Sequence, residues 1–152
     1  MARIDLDSGT LAEFERRVNA VRSTNERLWG KMTLAQMFAH LRIIFEISLE
    51  ERAVKDESRA WLMPIVWILL FQIWTDWPKG KIKASPQFLD DSAGDIEAER
   101  FQLIESMRRF VKRSESDPWR IVLEPMLGRV SLKKWRRVHG VHTDYHLRQF
   151  GA

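Results

Sequence analysis

Apolar residues recur every three or four positions along most of this chain, the period that places them on one side of an α-helix. Leu11, Phe14, Val18 and Val21 follow Thr10-Leu-Ala-Glu13, which has the form of a capping box. A short link through Trp29-Gly30 leads to a second such box, Thr33-Leu-Ala-Gln36. Behind it Leu34, Met37, Leu41, Ile44, Phe45 and Ser48 mark the inward stripe of a long helix predicted to reach about residue 52. His40 lies on the flank of that stripe, one turn from Gln36 and one from Ile44. Asp95 opens a later helix with apolar positions at Ile96, Phe101, Ile104, Met107 and Val111. Ser131 caps a final helix running to about Arg148, with Gly151 just past its end.

The intervals are less regular. Trp61–Trp77 (WLMPIVWILLFQIWTDW) is the most apolar run. A membrane span needs about 20 apolar residues, and this run is shorter and contains Pro64 and Gln72. No transmembrane segment is therefore expected. A buried helix starting near Pro64 is the plainest reading. Four tryptophans (Trp61, Trp67, Trp74 and Trp77) leave a dimer contact or a membrane-surface patch as alternatives. Residues 78–86 read as a lysine-bearing loop, and Ser114–Gly128, with Pro118 and Pro125, as irregular chain. No strand-like alternation stands out. The expected fold is all-α: a single domain over residues 1–152, most simply a four-helix bundle with one additional helix and long crossing loops.

The chain has no cysteine. Disulfides, cysteine-zinc sites, iron–sulfur clusters and a protein thiol nucleophile are all excluded. The composition fits a reducing cytoplasm, and the start, Met-Ala-Arg-Ile-Asp-Leu-Asp, lacks the apolar core of a secretory signal. Charge is uneven: residues 1–107 hold 14 Lys+Arg against 17 Asp+Glu, and residues 108–152 hold 11 against 4. A basic final third can attract nucleic acid, anionic lipid or a small anion, or it can simply be the solvated face of helices. The cationic strip of the last helix lacks interleaved aromatics, so nucleic acid is not an expected partner.

Candidate chemistry lies with histidine. The chain has four, and His139, His142 and His146 fall three and four residues apart near the C-terminus. On the last helix Leu132, Trp135, His139, His142, His146 and Phe150 form the inward line. His142 and His146, at i and i+4, can converge on one ion. A third ligand has to come from a facing helix, and His40 is the available candidate. His139 could stand beside the ligands, act as a base or pack on Trp135. Gln36 and Gln149, one turn from His40 and Tyr145, are candidates for supporting or substrate contacts, or else polar groups at a helix end. On spacing alone, three hydrogen-bonded core histidines remain the competing reading.

Three stretches carry a resemblance across nearly the whole chain. They are Trp29-Gly-Lys-Met-Thr-Leu-Ala-Gln-Met-Phe-Ala-His40, Gly128-Arg-Val-Ser-Leu-Lys-Lys-Trp135 and His142-Thr-Asp-Tyr-His-Leu-Arg-Gln-Phe-Gly151. In order and separation they resemble an uncharacterised branch of the DinB-like (YfiT-like) superfamily. The resemblance implies a bundle of mainly antiparallel helices and a divalent ion, commonly zinc or nickel, on His40, His142 and His146. It also implies chemistry with a low-molecular-weight thiol, such as bacillithiol transfer or mycothiol-dependent isomerisation, and a tendency to form homodimers. Two positions depart from the branch. Tyr145-His146 stands where a His-His doublet is common, and Glu124-Pro125 where His-Pro is common.

The function expected is a divalent-metal-dependent enzyme, a transferase using a low-molecular-weight thiol or a hydrolase, acting on a small molecule. The alternative is a non-catalytic, stress-related helical domain that binds a ligand or partner without a working metal site.

Overall fold

Helix α2 (Leu34–Ser48) runs through the interior: 13 of its 15 residues are buried, all but Gln36 and Glu46. A stripe of inward positions therefore understates it. Around it are arranged α1 (Leu11–Ala20), α3 (Met63–Ile68), α4 (Ile96–Ser116) and α5 (Leu132–Gln149). A π-helical turn (Leu69–Ile73) continues α3, and a 3-10 turn (Pro86–Phe88) precedes α4. The structure is a computed structural model and describes residues 4–73 and 76–152. Trp74 lies outside the described residues.

The broadest helix contact is α2 on α4, and α5 packs against α1, α2 and α4. Leu103, Met107 and Phe110 of α4 meet Met37, Leu41 and Phe45 of α2 in one hydrophobic core. Arg100, also on α4, is buried and donates to the carbonyl oxygens of Val18 and, at 2.7 Å, Val21. Its charge thus sits on carbonyls at the end of α1 that have no partner within that helix. The capping box at Thr33 forms as its sequence predicts: Thr33 Oγ1 accepts the Gln36 N–H at 3.2 Å, and Gln36 Oε1 accepts the Thr33 N–H at 2.9 Å. Asp95 and Ser131 likewise cap α4 and α5 with their side chains.

Five expectations are corrected. Ser114–Gly128 is not wholly irregular, so the fold is mainly helical rather than all-α. Strands β1 (Ile121–Glu124) and β2 (Gly128–Ser131) pair antiparallel, with Glu124 opposite Gly128. Gly128, at φ 83°, takes the left-handed conformation that a three-residue hairpin loop requires. Thr10 caps nothing with its side chain, which donates to Asp5 O at 2.7 Å; the Asp7 carboxylate instead accepts the Gly9 and Thr10 N–H groups. Helix α2 stops at Ser48, short of residue 52, in a turn where Glu50 has φ 60°. Phe101 is 67% exposed, and the buried line of α4 passes through Leu103 and Phe110. The Trp61–Trp77 run does begin a helix at Met63 with Pro64 in its first turn, but the helix is not buried. Trp61 is 76% exposed and Ile65, Ile68 and Ile73 are open, while Phe71 and Trp77 point inward. Among the described residues no helix is long and apolar enough to cross a membrane.

The N-terminal segment is seated on α5. Leu6 N donates to Arg136 O at 2.9 Å, and the Ile4 carbonyl presses against Gly140, where a Cβ would overlap its oxygen and lie 2.8 Å from its carbon. Gly140→Ala is accordingly expected to cost about 1–3 kcal/mol by overpacking, read as a lower denaturation midpoint. A variant as stable as the parent would contradict this docking.

Candidate metal centre

Two helices far apart in sequence deliver the site. His40 comes from the middle of α2, and His142 and His146 come from successive turns of α5. The ring of His40 stands 4.9 Å from that of His142 and 4.8 Å from that of His146, centroid to centroid. One nitrogen from each of the three lies within 4.8 Å of the others. The Nε2 atoms of His40 and His142 are 3.0 Å apart. Nitrogens sharing one tetrahedral ion with bonds of ~2.0–2.1 Å stand about 3.3 Å from each other, so this pair, at hydrogen-bond distance, need part only slightly to share one. The three buried histidines are thus close enough to hold a metal.

The outer nitrogens explain the aim of the inner ones. Phe88 O lies 2.9 Å from His40 Nδ1, and a carbonyl can only accept, so that nitrogen carries the proton and Nε2 keeps its lone pair. Gln149 Oε1 lies 2.9 Å from His146 Nδ1 and fixes that ring in the same way. Gln149 is held in turn, its amide donating to Trp29 O at 2.6 Å. Gly30, at φ 82°, makes room: a side chain there would collide with the Gln149 amide. A bare His40 Nε2 facing His142 Nε2 needs something positive between them, either a proton on His142 or a cation.

Burial pushes the His40 imidazole down to about 4 and that of His146 to about 3. It holds His142 well below its ordinary 6.5, and the neighbouring imidazoles add to the effect. All three are therefore neutral at pH 7, the form that binds metal. No carboxylate belongs to the cluster, so an ion there would keep its full charge. Three imidazoles with an open side match the ligand set of a catalytic metal rather than a closed structural one. The open side exists. A cavity of about 740 Å³ reaches all three rings and is walled by Trp29, Phe71, Trp77 and Phe88.

The other candidates from sequence fall elsewhere. His139 is a core residue, with Nε2 2.8 Å from Ser48 Oγ and its ring stacked on Phe45 at 3.8 Å. Gln36 is occupied in the cap of α2, whereas Gln149 does reach the cluster. Two further groups line the cavity at the positions where the sequence departs from the branch it resembles. Tyr145 points into the cavity, and its hydroxyl accepts both Trp29 Nε1–H (3.2 Å) and Gly80 N–H (3.1 Å). The second is Glu124, which closes β1 and lines the cavity while its Oε2 accepts the N–H groups of Met126 (2.8 Å) and Leu127. A hairpin carboxylate and a loop-tying hydroxyl carry no periodic signal.

Glu124 supplies a pH test. Burial lifts its carboxyl from 4.5 to about 7 against the two N–H bonds, with Glu57 and Asp56 adding to the rise. The folded state thus binds this proton more tightly than the unfolded chain does. Its contribution to stability is full below about pH 4.5 and is lost as pH climbs through about 7. Glu124→Gln keeps an oxygen for the two N–H groups and removes that loss. Relative to the parent it is expected to gain stability between pH 5 and 8, by on the order of 3 kcal/mol at the top of the range. Urea midpoints at several pH values check this, and a pH-independent difference would contradict it.

A search of curated proteins and another of solved structures found no match. One family model does match, that described as "Protein of unknown function (DUF1569)", over residues 1–152. With the whole length covered, the chain belongs to this uncharacterised family.

Proposed function

We propose that the protein binds one divalent metal ion, zinc or nickel, through His40, His142 and His146, and that it is an enzyme acting on a small molecule drawn into the cavity. One observation carries this reading. The Phe88 carbonyl and the Gln149 amide each occupy an outer ring nitrogen and so turn the inner nitrogens of two different helices toward a common point. Three hydrogen-bonded core histidines would not need that shared aim, nor an open cavity in front of it. A divalent ion bound there supplies Lewis acidity, which makes a nucleophile of a thiol or water near neutral pH.

The chain has no cysteine, so any thiol is a cosubstrate. Transfer of a low-molecular-weight thiol to a small electrophile is the first reading, and hydrolysis is the other chemistry such a centre serves. The mutual packing of α1, α2, α4 and α5 is compatible with the DinB-like bundle that the sequence resembles. Trp61, Ile65, Ile68 and Ile73 would supply the face for a homodimer.

Elemental analysis of untagged protein is expected to find about one divalent ion per chain, and chelator should lower the unfolding midpoint. His40→Ala and His146→Ala should each fall to background. Stoichiometric metal surviving both substitutions would rule out these ligands. Metal-free protein whose stability ignores chelator would return the non-catalytic reading. Gln149→Ala leaves the ligands in place but frees the His146 ring, and is expected to weaken metal affinity roughly 10–100-fold in competition titrations.

A further inference from the structure

Resting on the reading of the cavity as the substrate site, we infer that its substrate is an amphipathic organic anion, with an apolar body against the aromatic walls and its charged group received by Tyr145 and the lysine-bearing rim. The walls alone select for the body. A cavity of about 740 Å³ holds a molecule of ordinary ligand size, and four of its lining residues present indole or phenyl rings. Polar groups then decide what else that molecule carries.

Tyr145 is the first such group. It is buried to within 6% and its hydroxyl already accepts two N–H bonds, from Trp29 and Gly80, which use both lone pairs. Among the described residues the hydroxyl hydrogen has no acceptor, so the group can only donate, and the ring lines the cavity. A buried donor without a partner calls for an acceptor on the ligand.

The same hydroxyl ties together two segments that carry cations. One contains Lys31, the other Lys83, and both residues line the cavity; Lys79 and Lys81 lie in the second segment. Every ion pair among the described residues uses arginine, so these lysines form none there; of the four, Lys79 feels a carboxylate, helping to hold the Asp76 carboxyl below its usual range. Lys79 lies over the Trp29 ring at 4.8 Å. Asp90 and Asp91 share a small neighbouring depression with Lys31, but neither forms an ion pair with it. Among the described residues Glu124 is the sole acidic one lining the cavity, and its Oε2 is engaged by backbone N–H groups. The lysine-bearing rim therefore gives the mouth of the cavity a positive bias that attracts a negative group.

Two fluorescent probes with the same aromatic body separate the contributions. 8-Anilinonaphthalene-1-sulfonate carries an anion; N-phenyl-1-naphthylamine does not. The sulfonate is expected to bind at least tenfold more tightly, with an affinity that falls as salt rises. Lys31→Gln/Lys83→Gln and Tyr145→Phe should each weaken the sulfonate roughly tenfold while leaving the neutral probe unchanged, which also reports that the cavity is intact. Equal binding of the two probes, binding of neither, or substitutions that move both alike would overturn the inference.

The titrations are run on chelator-treated and metal-loaded protein, with metal content measured in each sample. Lysine-dependent preference for the sulfonate without metal uptake would sink only the metal reading. A preference seen solely in loaded protein and indifferent to the lysines would mean that the anion sits on the ion, and would overturn the rim assignment.

Discussion

The whole arrangement depends on keeping three neutral imidazoles edge-on to one another where burial disfavours their charged forms. Burial makes the imidazolium forms unfavourable, and the rings stay neutral far below the pH at which free histidine titrates. Neutral rings are not passive, however. With the outer nitrogens of His40 and His146 committed to a carbonyl and an amide oxygen, the lone pairs of those two rings turn inward. Such a grouping is satisfied either by an N–H of His142 donated to His40 or by a cation at its centre. The fold supports this by crossing its most buried helix, α2, with the last helix, α5, so that neither contributor can retreat.

Support spreads from there in a traceable chain. His146 is oriented by Gln149, Gln149 by the carbonyl of Trp29, and the Trp29 indole by the hydroxyl of Tyr145. Tyr145 in turn holds the backbone of Gly80. Helix α5 thereby anchors both loops that frame the cavity, through the residue next to His146. Asp144 strengthens the same end of the helix, pairing with Arg17 at 2.8 Å and Arg148 at 3.0 Å; Arg148 also reaches Asp76 at 2.9 Å.

Much of this was legible in the sequence where the signal is local. Thr33 and Gln36 satisfy one another within a single turn, so their spacing was enough. Thr10 and Glu13 have the same spacing, yet Asp5 and Asp7 compete for the threonine and win. The hairpin was missed because four-residue strands, set among Pro118 and Pro125, are too short for alternation to register. A three-to-five-residue rhythm includes Phe101, whereas the true face of α4 follows Leu103, Met107 and Phe110. At the site, His40, His142 and His146 could be picked out because histidine is scarce here and the spacing on α5 is regular. Phe88 contributes through its carbonyl, Glu124 through a hairpin end and Tyr145 through a hydroxyl shared by two loops. None of these leaves a mark on side-chain periodicity.

The link from Gln149 to Trp29 has one more consequence. A single amide is clamped between an indole-bearing loop and the His146 ring, 2.6 Å from one and 2.9 Å from the other. Those spacings leave little slack. Whatever displaces the loop at the doorway also tugs on the imidazole at the floor.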